Sequence, residues 1–461
     1  MVRPAATPPG EGHDRLTRAA LLRCGGLAAA ALASSARVPY AFAGPLRYGG
    51  RQLGGSLSIV QWTHVIGGFD LWFNGWAKDW GTRNDVDVKV DHITTTRLPA
   101  LVASEAQAQK GHDIVGFLTP PTAYEDQMID HGAIVRAVER QVGPYGTLGR
   151  QSTYNPRRRT YFGISDTYVP APALWRHDVW NNVGESPATW EHVRAAAPAL
   201  KAAGYPLGVG LSNEPDSNIG LLDLLAAFGS FLQHEDNTLA IDSPATVEAV
   251  KFMVDLQRRG QTDEVFGWNQ ASNNQFVFSG RGSLIVNAIS AVRMAEDLQL
   301  PVADNLWIWP LPAGPHGRLA LPQSTNIYSI WKFARNRETA EKFLADLCIG
   351  AEQTTIASKL YNLPSFPGAI AAARLRQVAA ADTHRPRGKY SILTTVAARD
   401  TRNAGFPGTT NPAVDETLDR FLIPRMFAQV AQGKLSAADS VRSTAREMKQ
   451  IWAKWKTAGR V

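Results

Sequence analysis

SLSIVQW (Ser56–Trp62), VDVKVDHI (Val86–Ile93) and DIVGFL (Asp113–Leu118) are short β-rich runs, and what lies between them decides the fold. Leu71–Trp80 and Leu98–Gln109 read as helices, so the order is β-α-β-α-β. Strands alternating with helices predict a mostly parallel sheet with helices on its faces, one doubly wound half of an α/β protein. The same alternation runs on towards the C-terminus. Ser243-Pro244 reads as a cap followed by Pro at the first helical position, with Val247, Val250, Met253 and Val254 as the apolar stripe and Gly260 as the stop. Asn336 reads as the cap of RETAEKFLADLC, and Pro198 predicts a kink or a second segment in the helix after Thr189. Trp72, Trp76 and Trp80 recur every four residues and read as core.

The N-terminal residues do not belong to this pattern. Arg15, Arg18 and Arg23 precede the apolar stretch GGLAAAALA (Gly25–Ala33), and Ala41-Phe42-Ala43 supplies a small-x-small cleavage pattern. Residues 1–43 therefore read as an export signal cut before Gly44, and the expected location is periplasmic. The apolar run is far shorter than the roughly 20 residues that span a bilayer. LTRAALLR resembles a twin-arginine signal with Ala19 in place of the second Arg, which leaves the export route open. Cys24 lies before the apolar run, whereas a lipidated Cys would follow it.

The leader carries five Arg and two acids, so the exported chain keeps +4 of the formal +7. Its basic residues are scattered, and the one tight cluster, Arg157-Arg158-Arg159, reads as a solvated loop. A nucleic-acid partner needs a concentrated basic surface, so none is expected. Beyond the leader only Cys348 remains, so stability must come from burial without an internal disulfide. A chain of 461 residues with 44% apolar content can bury that much surface, but as two lobes rather than one core.

Six segments in order carry a family resemblance. SPATWEHV (Ser186–Val193), AVKFMVDLQRRG (Ala249–Gly260), QFVFSGRGSLIVNAIS (Gln275–Ser290), WPLPAGPHGR (Trp309–Arg318), NRETAEKFLADL (Asn336–Leu347) and GFPGTTNPAVDETL (Gly405–Leu418) are together similar to the family 1 extracellular solute-binding proteins. The resemblance implies a type II periplasmic-binding-protein-like fold, with two doubly wound lobes joined by a hinge and a ligand cleft between them. It places the N-terminal lobe at about 44–165 and 288–325, and the C-terminal lobe at about 166–287 and 326–461. It also implies a monomer, without cofactor or metal, that hands a small carbohydrate to the permease of an ABC importer. A polyamine or other small polar ligand, and a sensor partner in place of the permease, are the alternatives.

Doubly wound sheets bind ligands beyond the carboxyl ends of their strands, so the candidate contacts are the residues found there. Trp62 and His64 follow the first strand, and Tyr124 follows the third. Asp166 and Tyr168 stand at the first crossover expected from the resemblance, and Ser324 and Thr325 at the second. LSNEPDSN (Leu211–Asn218) offers Asn213, Glu214 and Asp216, although the same residues are good turn and capping chemistry. In the family this segment carries a Glu-Pro-aromatic contact, and Asp216 in the aromatic's place points to a smaller or more polar ligand than a maltodextrin. Trp268 is a candidate stacking ring, Asn287 a polar strand end, and Phe406 a lip of the cleft. Thirteen Trp supply stacking surface for sugar C–H faces.

Enzyme signatures are thin. The ten His show neither His-x-x-x-His nor His-Glu-x-x-His spacing, so a zinc site is unsupported. There is no G-x-S-x-G elbow and no phosphate-binding loop. Cys348 ends an amphipathic helix with no His nearby in sequence, which reads as an inert buried thiol.

Overall fold

The computed structural model describes residues 53–322 and 324–461; the expected export leader, its cleavage point and Cys24 lie outside them. Two large sheets organise the described chain, beside a two-stranded ribbon of Tyr154–Asn155 and Thr160–Tyr161. The first takes β1 (Ser56–Trp62), β2 (Asp87–Ile93), β3 (Ile114–Phe117) and β4 (Ile164–Tyr168). The second takes β5 (Ala173–Arg176), β6 (Leu207–Gly208), β7 (Leu284–Val286) and β8 (Leu306–Trp309). The chain then returns to the first with β9 (Thr325–Ile330) and β10 (Leu363–Pro364). The first sheet runs β10-β4-β9-β3-β1-β2 and the second β8-β5-β7-β6.

The expected β-α-β-α-β half is present. β1 pairs parallel with both β2 and β3, with Ile59 opposite Val90 on one side and Ile114 on the other. The intervening helices are α1 (Phe69–Asn84) and α2 (Leu98–Ala108). Trp76 and Trp80 are buried as the four-residue spacing predicts, whereas Trp72 is only half-buried, and the Trp80 indole N–H donates to Asp346 at 2.7 Å. Between β5 and β8 stand α3 (Trp190–Ala202), α4 (Pro215–Ala227), α5 (Pro244–Gly260), α6 (Ser272–Phe278) and α7 (Ser290–Asp297). Ser243 caps α5 by accepting from the Thr246 N–H at 3.2 Å, and the helix ends on Gly260. α3 runs unbroken through Pro198, so no second segment starts there. α8 (Arg337–Ile349) begins after Asn336, but the Asn336 side chain is not its cap: the amide donates to the Gly54 carbonyl at 2.7 Å.

The lobe boundaries differ from those expected. The first crossing occupies residues 169–172, so Asp166 and Tyr168 belong to the first sheet, not the second lobe. The second crossing comes between Trp309 and Thr325. β8 pairs antiparallel with β5, which keeps residues 288–309 in the second lobe. β9 is wedged between β3 and β4, which returns residues 325–330 to the first. The final helix, α9 (Ala437–Thr457), packs on α5 of the second lobe. No helix among the described residues is long and apolar enough to cross a membrane.

Candidate ligand-binding cleft

Two groups of side chains face each other across the lobes. The first builds on the carboxyl end of β1. Trp62 stacks on the His64 imidazole at 4.7 Å, and Phe69, at the start of α1, stacks on its other face at 3.9 Å. Tyr361 meets the same imidazole edge-on at 5.2 Å. Tyr361 and Asn362 arrive from a distant stretch. Lys359 and Leu360 are both left-handed, at φ 53° and 67°, a costly pair for residues with a Cβ. That turn carries the chain from the helix at Ala351–Ala357 back onto the edge strand β10.

His64 is held on both ring nitrogens. Nδ1 accepts from the Ile66 N–H at 3.0 Å, and Nε2 lies 3.2 Å from the terminal amide of Asn362. Burial brings its pKa down to about 4, against the upward pull of Asp70, so the ring is neutral at physiological pH. The Tyr361 hydroxyl is pushed up by burial, with the charge of Asp216 from the second lobe adding to the shift. The two walls thus lie within electrostatic reach of each other.

The second wall is built of short polar groups. Glu214 is the N-cap of α4, accepting from the Ser217 N–H at 2.5 Å and the Asp216 N–H at 2.8 Å. Two residues on, the Asp216 carboxylate accepts from the Asn273 amide at 2.8 Å and from Asn287 at 3.4 Å. Asn287 also donates to Asn274 Oδ1 at 2.8 Å, and Asn274 donates to Ser290 Oγ at 3.2 Å. Burial, then the neighbouring Glu214, raises the Asp216 pKa to about 7.

The lobes touch beside these walls. Arg293 of α7 donates to the Lys359 carbonyl from Nη2 at 2.7 Å and from Nε at 3.1 Å, and Lys359 Nζ pairs with Asp297 at 2.6 Å. Arg293 is itself buried, paired with Glu296 at 2.9 Å and Asp382 at 2.7 Å, with its guanidinium 3.6 Å above the Tyr390 ring. Lys389 and Tyr390 also bind Glu296, at 2.6 and 2.7 Å. Glu296, Asp382 and His384 converge closely enough to suggest a metal cluster, but these cations already answer the two carboxylates.

Of the sequence candidates, the structure brings Trp62, His64, Asp216 and Asn287 into the facing walls, with Glu214 behind as a helix cap. Tyr168, Ser324 and Thr325 gather at the crossings: Thr325 pairs with Tyr168, and the Ser324 carbonyl accepts from the Val169 N–H at 3.1 Å. Thr325 also lines a cavity of about 10 Å³ with Pro120, Ser152, Ala404 and Asp415. Phe406 packs against Phe231 at 5.6 Å with Arg402 over its ring. Asp166 is buried within the first sheet, accepting from Thr167 Oγ1 at 3.0 Å, and burial lifts its pKa to about 7. Trp268 packs against Phe276 at 5.2 Å and over Gly208, inside the second lobe. Tyr124 sits in a 3₁₀ turn, edge-on to Trp331 at 6.1 Å, and Asn213 is exposed.

Sequence reasoning missed Tyr361, Asn362, Asn273 and Asn274. A signal existed for the last two: paired Asn residues open an otherwise apolar helix, SNNQFVF. Cys348 is fully buried, and burial pushes its thiol up, away from the nucleophilic thiolate form.

Comparison with known proteins agrees with this architecture. A family model described as bacterial extracellular solute-binding protein matches residues 75–386. Among solved structures, maltose-bound MalE3 of T. maritima superposes with a TM-score of 0.69 at 18% identity, covering 86% of this chain and 100% of that one. A sugar transporter protein of Arthrobacter chlorophenolicus A6 with bound laminaribiose gives 0.70 at 14% identity, covering 86% and 99%. An ABC transporter solute-binding protein of Agrobacterium radiobacter K84 in complex with ribitol gives 0.67 at 13% identity, covering 87% and 99%. At these identities the likeness is one of fold. No sequence match was found among curated proteins.

Proposed function

The chain belongs to the bacterial extracellular solute-binding protein family, and from that premise we propose that it is the receptor of an ABC importer for a small sugar or polyol. The observation that carries the ligand class is the pair of facing walls. Trp62 and Tyr361, packed on the clamped His64 imidazole, offer rings to the apolar C–H face of a sugar, while Asp216, Asn273, Asn274 and Asn287 offer hydrogen bonds to its hydroxyls. The fold's similarity to structures holding maltose, laminaribiose and ribitol supports the same class. Ligand closes the lobes, and the closed form docks on the permease. Residues 1–43 direct export and are removed, and the mature protein acts as a monomer. No chemical step is involved: burial holds the Cys348 thiol in its protonated form, and the wall carboxylate is tied into amide hydrogen bonds.

Thermal-shift and calorimetric titration of the purified protein against mono- and disaccharides, polyols and polyamines tests this reading. A bound sugar or polyol raises the melting temperature in proportion to its saturation. Binding confined to polyamines, or time-dependent conversion of any panel member, overturns it.

A further inference from the structure

The hydrogen bonds around His64 leave one buried amide group of Asn362 unpartnered among the described residues. His64 Nδ1 faces the Ile66 backbone N–H, which can only donate, so Nδ1 is the acceptor and carries no proton. The neutral ring that burial enforces must then carry its proton on Nε2. An Nε2–H needs an acceptor, and the amide atom 3.2 Å away belongs to Asn362. The two ends of an Asn amide are told apart by what they bond to, so the atom facing Nε2 is the carbonyl oxygen. The NH2 therefore occupies the other position. The amide atom there is buried and has no hydrogen-bond partner among the described residues. Asn362 is itself only 1% exposed, and an unpaired donor so deeply buried is costly unless something accepts from it.

The segment around this donor faces the second lobe. Three residues earlier the Lys359 carbonyl accepts from Arg293, and the adjacent Tyr361 hydroxyl feels the charge of Asp216. We propose that Asn362 is a ligand-binding residue: His64 fixes its amide so that the NH2 donates to a hydroxyl or ring oxygen of the bound sugar or polyol. The inference rests on the sugar or polyol reading and adds to it a donor on the wall that otherwise offers rings. His64 is a positioning residue here. It orients the amide, and the ligand selects for an acceptor at that place.

Asn362→Asp tests this with little change of shape, because it keeps an acceptor for His64 and replaces the donor with a second oxygen. Asn362→Ala removes both ends. Each is titrated with whichever of maltose, laminaribiose, ribitol and tagatose binds the wild type most tightly. The expected loss of affinity is about 10–100-fold in both variants, with melting temperatures within a few degrees of wild type. Affinity within twofold of wild type in a folded variant overturns the inference and leaves the sugar reading standing, with water satisfying the amide instead. If the wild type binds none of the panel, both fall. Long-range ¹H–¹⁵N spectra of the imidazole provide a ligand-independent check. The Nε2–H tautomer is expected, and an Nδ1–H tautomer or an imidazolium at neutral pH removes the reason for turning the amide.

Discussion

The wall on the first lobe and the wall on the second solve opposite problems. The first stacks rings: Phe69, His64 and Trp62 in a column, with Tyr361 at its edge. Its shape is set by packing, and it leaves one end of the Asn362 amide without a partner among the described residues. On the second, Asn273 and Asn287 both donate to Asp216, Asn287 also donates to Asn274, and Asn274 donates to Ser290. A ring wall discriminates by shape and offers area. An amide network offers donors and acceptors but must give up internal bonds to use them. On the proposed reading this division gives lobe closure its role: the ring wall would cover a sugar face while the amide network answers most of its hydroxyls.

The contact that holds the walls together should be the most sensitive. Arg293 is buried among Glu296, Asp382 and the Tyr390 ring, and reaches across to the Lys359 carbonyl. Arg293→Met takes the guanidinium from Glu296 and Asp382, and removal of one partner from a buried ion pair costs about 3–5 kcal/mol. Chemical denaturation should register that loss, and X-ray scattering should show a larger radius of gyration without ligand. An unchanged unfolding midpoint would show that the walls are held elsewhere.

Trp62→Ala probes the first wall. Loss of a fully engaged aromatic face weakens binding by about 100-fold, near 3 kcal/mol, measured by calorimetry on the preferred sugar. Its effect should exceed that of Trp268→Phe, since Trp268 packs inside the second lobe. Equal effects would move the stacking platform to the other side.

Asp216→Asn probes the second wall through pH. Because burial lifts the Asp216 pKa to about 7, the folded protein holds this proton more tightly than the unfolded chain does. Stability from this group is therefore present at pH 4 and is lost as pH rises towards 7. The Asn variant has no such loss. It should melt like wild type near pH 4 and be more stable at pH 8, by on the order of 2 kcal/mol. A sugar should still bind it at low and high salt alike, whereas a polycation would bind it far more weakly.

How much of this was visible in the chain depended on the range of the interaction. β1, β2, β3 and their helices follow from runs and spacings within about 60 residues, and Ser243 announces its own helix. The second crossing did not, because LWIW and TNIYSI are equally good strands. Only pairing of the first with β5, and insertion of the second between β3 and β4, separates them. The same holds for the site. Looking past strand ends named Trp62, His64, Asp216 and Asn287, which the fold gathers into the facing walls. Asn362 meets His64 across 298 residues of sequence, from a turn after a helix that carries no local mark of a binding residue. Glu214 shows the converse: a conspicuous acid in the right segment that serves as a helix cap.

The central claim is that one ligand touches both walls at once. Side-chain amide resonances of Asn362 and of Asn273, Asn274 and Asn287, assigned by single substitutions in ¹⁵N-labelled protein, report on each wall separately. Titration with the tightest-binding sugar should shift Asn362 and at least one of the three second-lobe amides along the same saturation curve. Shifts confined to one wall, or to neither while binding is measured by calorimetry, would contradict the account.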